Sequence, residues 1–464
     1  AIYQIDETSS RLVTSEQAPP GGMYGARVAA GDGFAVAAIV QGEGLEGTAA
    51  VFEESGEDWR EAALLRGDDV GLDAVVGAKM ACRDGKASLF DCKKVELVSF
   101  LPVRAIGGGR GTRLNDLWGW TDSVTGKEYA LVGRTDGTAF VDMSDPVNPV
   151  YLGSLPLTKG ARPTIWRDIK VYKDHAFIVA DGTPDHGMQV FDLAELRDVE
   201  NAPVIFKETA VYDGLENAHN VAINEETGYA YTVGGDKCAG GLHMVDIRDP
   251  RNPTFAGCFA HENTSYGGRG STHDTQCVVY RGPDAEHQGK EICFSSNGTA
   301  LSIADVTDKA NPKPISIGSF PDYAFVHQGW LTEDQRYFYM NDELDEFVGN
   351  APETRTLVWD LIDLEDPQLV LEYMFGVTAA DHNLYIRGNY MYQSNYLSGL
   401  RIHDISDPEN PREVAYFDTA PSGENTTRLD GSWSNYPYFE SGVIPVSSKE
   451  EGLFLVRMAD EPGL

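Results

Sequence analysis

At 464 residues the chain is too long for one small core, so one large repeat domain or two to three ordinary domains are expected. With 37 Lys and Arg against 72 Asp and Glu, the formal net charge is −35, which argues against nucleic acid or an anionic membrane as partner and fits an acidic, heavily hydrated surface. The 49 glycines, short alternating apolar runs and Asn-Pro and Asp-Pro turns argue against a helical protein and mark an all-β chain.

The first ninety-odd residues stand apart from the rest. "GDGFAVAAIVQGEGLEGTAAVFEESGEDWREAALL" predicts two or three strands around a Gly-rich turn. It resembles an FG-GAP unit without that motif's Asp-rich calcium loop, and residues 1–93 are read as a small N-terminal β appendage. Next comes "VELVSFLP", Val95–Pro102, a strand with the character of the outer strands found further along. "IGGGRGTR", Ile106–Arg113, follows that strand instead of opening a helix, so it reads as a linker and not a phosphate loop.

From about residue 112 a unit repeats. "FVDMSDPVNPVYLGSL", "MVDIRDPRNPTFAGCF", "IADVTDKANPKPISIG", "VWDLIDLEDPQLVLEY" and "IHDISDPENPREVAYF" share a strand ending in Asp, an Asp-x-x-Asn/Asp-Pro turn and a following strand; "VFDLAELRDVENAPVIFKE" has a longer turn. The lead aspartates Asp142, Asp192, Asp246, Asp305, Asp360 and Asp404 are spaced 50, 54, 59, 55 and 44 residues apart. Their side chains are expected to bond the turn's own backbone. Units of this length with room for four strands are propeller blades. Six copies run to about residue 420, and "GSWSNYPYFESGVIPVSSKEEGLFLVRM" adds three strands. Val95–Pro102 supplies the fourth, giving a seven-bladed β-propeller over residues 94–458 with no free sheet edge, and a tail at 459–464.

Aligning the units by their turns puts Asp116, Asp168, His219, His273, His327, His382 and Trp433 at the start of successive innermost strands, 51 to 55 residues apart. Equivalent positions on innermost strands form a ring around the central channel. Four of the chain's 10 histidines in one such ring are hard to bury without a cation, because each imidazole needs partners for both nitrogens. His219, His273, His327 and His382 are therefore candidate ligands of a divalent transition metal such as zinc, copper, iron or manganese. Asp168, Asp274 and Asp381 are the candidate proton acceptors. The polar residues after each histidine (Asn220, Asp274, Gln328 and Asn383) are expected to bond the adjoining blade's backbone. "NDELDEF", Asn341–Phe347, reads as a solvated acidic loop, with Ca²⁺ as the alternative.

Six cysteines at hairpin-like spacings suggest local disulfides Cys82–Cys92, Cys238–Cys258 and Cys277–Cys293, and hence an oxidising compartment. No apolar run of about 18 residues is present, and a chain starting at Ala1 fits a secreted protein freed of its signal peptide. Asn263, Asn297 and Asn425 lie in glycosylation sequons. No Gly-x-Ser-x-Gly elbow, His-Glu-x-x-His or Walker loop occurs.

"NDLWGWTDSVTGKEYALVGRTDGTAFVDMSDPVNPVYLG", "NAHNVAINEETGYAYTVGG", "GGLHMVDIRDPRNPTFAGCF" and "THDTQCVVYRGPD" resemble the choice-of-anchor B family, built on LVIVD-type repeats. The resemblance spans roughly residues 82 to 458. It implies a secreted bacterial β-propeller, often with a removable C-terminal sorting signal, which "RMADEPGL" lacks; it implies no settled activity. The expected function is that of an extracellular metal-dependent enzyme acting on a small-molecule or glycan-like substrate by hydrolysis, elimination or oxygen chemistry. The alternative is a non-catalytic surface or adhesion propeller with a structural metal.

Overall fold

A computed structural model describes residues 72–421 and 424–459 together with the backbone of six strands within the first 65 residues. The chain divides into two compact units, Ala1–Asp73 and Ala74–Leu464. In the first, Ile2–Ile5 pairs with Ser10–Thr14, and Met23–Gly31, Phe34–Gln41, Thr48–Ser55 and Asp58–Leu65 form an antiparallel four-stranded sheet.

The second unit is a seven-bladed β-propeller with one four-stranded antiparallel sheet per blade, to which Val204–Ile205 adds in parallel on the outside of blade 1. The innermost strands of blades 1 to 7 are Leu114–Thr121, Arg167–Tyr172, Asn220–Asn224, Asp274–Val279, Val326–Leu331, Asn383–Arg387 and Ser432–Asn435. Blade 7 continues through Ile444–Ser448 and Gly452–Met458, and its outer strand is Val95–Pro102, antiparallel to Gly452–Met458. Phe90–Lys93 pairs with Arg412–Phe417 on the outside of blade 6. Residues 74–93, placed in the appendage on sequence, thus lie in the propeller unit.

Alternation along each strand sends one set of apolar side chains toward each neighbouring blade, so the core consists of layers between blades. Trp120, Leu131 and Phe140 of blade 1 meet Ile169, Ile178 and Phe191 of blade 2, and Phe294 and Ile303 of blade 4 meet Phe338 and Trp359 of blade 5. The turns behave as their composition requires. Asp142, Asp246, Asp305, Asp360 and Asp404 each accept a bond from the backbone N–H two residues on, at 2.8 to 3.1 Å.

All six cysteines are paired, as Cys82–Cys92, Cys238–Cys258 and Cys277–Cys293; Cys277 and Cys293 face each other across their hairpin, as the spacing predicts. No helix among the described residues is long and apolar enough to cross a membrane.

Candidate metal centre in the channel

Four successive blades deliver an imidazole at the point where the innermost strand begins. His219, His273 and His382 immediately precede their strands, and His327 is second in its own. The rings stand side by side, with centroids 4.3 Å apart for His219 and His273, 4.1 Å for His273 and His327, and 4.4 Å for His327 and His382. Trp433 of blade 7 continues the arc 4.7 Å beyond His382.

Three of the rings are oriented through Nδ1, whereas Nδ1 of His327 is buried without a hydrogen-bond partner. That of His273 meets the carbonyl of His327 at 2.8 Å, that of His382 meets the carbonyl of Trp433 at 2.6 Å, and that of His219 meets Oδ2 of Asp181 at 3.0 Å. A ring that donates from Nδ1 to a carbonyl keeps the lone pair on Nε2. No Nε2 of the four has a hydrogen-bond partner among the described residues. Burial pushes the basicity of His273 and His327 far below the usual imidazole range, the neighbouring imidazoles adding to it, and burial takes His382 down to about 3. These three rings are neutral at physiological pH, the form that binds a metal.

A carboxylate the sequence reading passed over completes the group. Glu343 lies in the loop after Tyr337–Asp342, and its Oε1 is 4.0 Å from Nε2 of His327 and 3.9 Å from Nε2 of His382. These three residues alone could hold one ion between them. Tyr396 donates its hydroxyl to Glu343, and burial lifts the Glu343 carboxyl to about 7. The reading of Asn341–Phe347 as a solvated loop is overturned here: Asp342 and Asp345 are fully buried, and Glu343 and Glu346 nearly so. The pattern of four acids in seven residues carried the opposite signal, because acids cluster far more often in water than in a protein interior.

All four histidines and Glu343 line one cavity of about 710 Å³. Trp166, Tyr266, Phe325 and Trp433 give it aromatic walls, and Arg113 and Lys449 contribute positive charge. The arrangement leaves one side of the imidazole arc facing this space, which suits a catalytic or ligand-binding ion better than a closed structural one.

The expected proton acceptors fall elsewhere. Counting back from the hairpins, Asp168 stands four residues before Tyr172 just as Asn383 stands four before Arg387. Asp116 and Asp274 accept from the N–H of the next residue as Asp168 does, and Gln328 accepts from Leu384 N–H as Asp168 does from Val221 N–H, so Asp116, Asp168, Asn220, Asp274, Gln328 and Asn383 share one position and Arg167 occupies the place of the histidines on blade 2. This corrects the turn-based alignment by one residue for Asp116 and Asp168; loops of unequal length between turn and innermost strand hid the shift. The side chains at this position include stitches between blades: Asp168 accepts from Val221 N–H at 2.7 Å, Asn220 donates to the carbonyl of His273 at 3.0 Å, and Gln328 donates to the carbonyl of Leu384 at 2.9 Å. Asp168 also accepts from Nζ of Lys170 at 2.5 Å; burial would raise its carboxyl, but Lys170 and these bonds hold it below the usual range. Asp274 faces a separate, smaller cavity with Trp118, Lys170, Trp330 and Tyr385, and burial raises its carboxyl to about 7. Asp381 is fully buried behind His382 with neither carboxylate oxygen bonded. None of the three lines the histidine cavity, whose acids are Asp181 and Glu343.

No curated protein matches the chain in sequence. Among solved structures, a Kuenenia stuttgartiensis hydrazine synthase chain is similar at 10% identity over 76% of this chain and 100% of its own, with a TM-score of 0.49. The β-propeller domain of Cps50 (Swd1) from Myceliophteria thermophila is similar at 12% identity over 72% of this chain and 94% of its own, with a TM-score of 0.45. The extracellular domain of the one component system BT4673 from B. thetaiotaomicron is similar at 11% identity over 92% of this chain and 51% of its own, with a TM-score of 0.48. Likeness at this level concerns the fold alone. The family model for the LVIVD repeat matches residues 217–260 and 381–419, the stretches that carry blades 3 and 6 with His219 and His382, so the chain is a seven-bladed β-propeller containing LVIVD repeats.

Proposed function

We propose that this propeller is an extracellular metal-dependent enzyme whose ion is held by His219, His273, His327 and His382 with Glu343 beside them. The observation that carries the reading is the row of imidazoles 4.1 to 4.4 Å apart, three of them steered through Nδ1, facing a cavity of about 710 Å³. A divalent ion there would act as a Lewis acid and lower the pKa of a bound water. Asp181 and Glu343 replace Asp168, Asp274 and Asp381 as the groups placed to move a proton. The aromatic walls with Arg113 and Lys449 favour a ring-bearing substrate with an acidic group, such as a uronate-containing glycan or an aromatic acid. The three disulfides and the resemblance to choice-of-anchor B proteins support a secreted or cell-surface location.

Elemental analysis of the full chain, purified without an affinity tag, tests the centre. One equivalent of a first-row transition metal is expected, with a sharp loss in His273→Ala and His327→Ala. A quadruple alanine variant that kept its metal and any activity would end the proposal. A variant that lost the metal yet kept every measurable function would give the structural-metal, adhesion reading the better claim.

A further inference from the structure

The histidines stand where the innermost strands begin, and a second cavity, which the proposed centre does not use, lies toward the ends of those strands. It has a volume of about 410 Å³. Trp118 lines it from the second half of its strand on blade 1, Glu225 from just beyond the strand of blade 3, Trp330 and Glu333 from the end of the strand of blade 5 and the turn after it, and Tyr436 and Tyr438 from just beyond the strand of blade 7. The smaller cavity beside Asp274 shares Trp118, Glu225 and Trp330 with it. None of the residues lining it lines the histidine cavity.

Its wall is a continuous set of aromatic rings. Trp118 meets Tyr436 with centroids 5.0 Å apart and Tyr385 at 5.6 Å, Tyr436 meets Tyr438 at 5.2 Å, and Trp330 meets Tyr385 at 5.1 Å. Trp118, Trp330, Tyr436 and Tyr438 are only half-buried, so the rings do not close into a core. The charge beside them is negative. Glu225 and Glu333 are both exposed; Glu225 has no hydrogen-bond or ion-pair partner among the described residues, and Glu333 accepts the N–H of Gly388 at 2.6 Å. Both carboxylates stand close to the rings: after burial, the charge of Glu225 helps to hold the Tyr436 hydroxyl above its usual range, and that of Glu333 acts in the same direction on Tyr438. The cations at this end are already engaged. Nζ of Lys170 is 2.5 Å from Asp168 and 3.6 Å from Asp116, and the guanidinium of Arg387 donates to the carbonyls of Pro437 and Phe439 and lies 3.7 Å from Glu440. Lys170 also shows what this wall attracts, since its Nζ lies 4.5 Å from the centre of the Trp118 ring.

The face of an aromatic ring attracts a cation, tryptophan most strongly, and groups of such rings select quaternary and methylated ammonium ions. A concave site with low-dielectric walls also focuses the field of its carboxylates. An anion is repelled here. A bare metal ion would use the carboxylates and not the rings, and a neutral saccharide would use the rings and not the charge. An organic ammonium ion uses both. We infer that this cavity binds an organic ammonium cation, its methylated nitrogen against Trp118, Trp330 and Tyr436 and its charge opposed by Glu225 and Glu333. The site shares no residue with the histidine centre and stands whether or not that centre holds a metal.

The probe is choline chloride, with its neutral carbon isostere dimethylbutanol in parallel, titrated into the full chain at fixed ionic strength and followed by calorimetry and tryptophan fluorescence. Saturable one-site choline binding is expected, with the isostere at least about 10-fold weaker because it fills the same space without the charge. Trp330→Ala should weaken choline binding about 3- to 30-fold, the range of a cation–π contact. Glu225→Gln should weaken it and flatten its salt dependence, whereas His273→Ala, a change in the other cavity, should bind choline as the unaltered chain does. Absence of saturable binding at millimolar choline would overturn the inference. So would equal affinity for the isostere, which would leave an apolar pocket, or binding of a neutral disaccharide such as cellobiose in place of choline, which would make the wall a sugar platform. Full affinity in both Trp330→Ala and Glu225→Gln would put the choline elsewhere on the chain and overturn it as well. Should Trp330→Ala fail to fold, Glu225→Gln, a change at an exposed side chain, and the isostere comparison on the unaltered chain decide.

Discussion

Arg167 holds on blade 2 the place that imidazoles hold on blades 3 to 6, and it ends the row of imidazoles there. Its guanidinium is buried and donates to Nε2 of His186 at 3.0 Å and to Thr138 at 3.2 Å. His186 must stay neutral to accept that bond, and burial, then the charge of Arg167, takes its pKa to about 3. Between the ordinary imidazole value of about 6.5 and 3, the unfolded chain binds a proton that the folded chain refuses. The stability due to this group is therefore present above pH 6.5 and is lost as the pH falls toward 3. The shift is worth on the order of a few kcal/mol. Comparing His186→Gln with the unaltered chain in denaturant melts from pH 7 to pH 4 should show a flatter acid loss in the variant; equal slopes would mean that His186 is protonated in the fold. On the other side of the arc, Asp181 steers His219 at 3.0 Å. If His219 is a ligand, Asp181→Ala should weaken metal binding about 10- to 100-fold in a chelator competition, the usual cost of losing a carboxylate behind a metal-bound histidine. Unchanged affinity would take His219 out of the ligand set.

The turns are the elements that made the fold readable. Each lead aspartate sits at the end of a third strand and folds the chain back through its own carboxylate, so its spacing counts blades without any knowledge of the core. Asp305, bonded to Thr307 N–H at 3.0 Å, is a clean test because it does not line the histidine cavity. Asp305→Ala should cost about 1 kcal/mol of stability and leave metal content unchanged; a change in metal content would mean that turn and site are coupled. The same periodicity brought the four histidines together, since only equivalent blade positions bring residues some 54 apart in sequence within ring contact. It failed at Asp116 and Asp168, where register depends on how many residues lie between turn and innermost strand, a quantity fixed by pairing. It was silent on Glu343 and Asp181. Asp181 and Glu343 each follow the second strand of their blade, but Thr135, Gly234, Asn297, Asn395 and Lys449 hold that place in the other blades, so no repeated acid marks it. Burial of the acids Asp342, Glu343, Asp345 and Glu346 could not be read at all, because only tertiary structure, with Arg355 and the backbone donors around them, tells a buried acid from a solvated one.

At the scale of the whole molecule, a propeller is a ring with one seam, and the seam decides whether the channel keeps its shape. Here the last blade takes its outer strand from residues that precede all the others. Val95–Pro102 is antiparallel to Gly452–Met458 along its length, Phe100 stacks on Phe454 with centroids 4.4 Å apart, and Phe90 meets Phe454 edge-on at 4.9 Å. The apolar layer next to this strand joins Leu101, Leu453 and Leu455 of blade 7 to Leu117, Val132 and Val141 of blade 1. Both ends of the propeller are thus tied at one place, and among the described residues no blade is left a strand short of four. Phe100→Ala removes a fully buried ring from this seam and should cost about 3 to 5 kcal/mol. Removing residues 1–102 should do something different in kind. It strips the hydrogen-bonding partner from Gly452–Met458, and the exposed strand should recruit a second chain, giving concentration-dependent oligomers in sedimentation. Removing residues 1–73 leaves the closing strand in place and should yield a monodisperse protein with the channel metal retained. If the chain lacking residues 1–102 stayed monodisperse and cooperative in its melt, closure by Val95–Pro102 would not be what holds the ring, and the layers between blades would have to be credited with its stability.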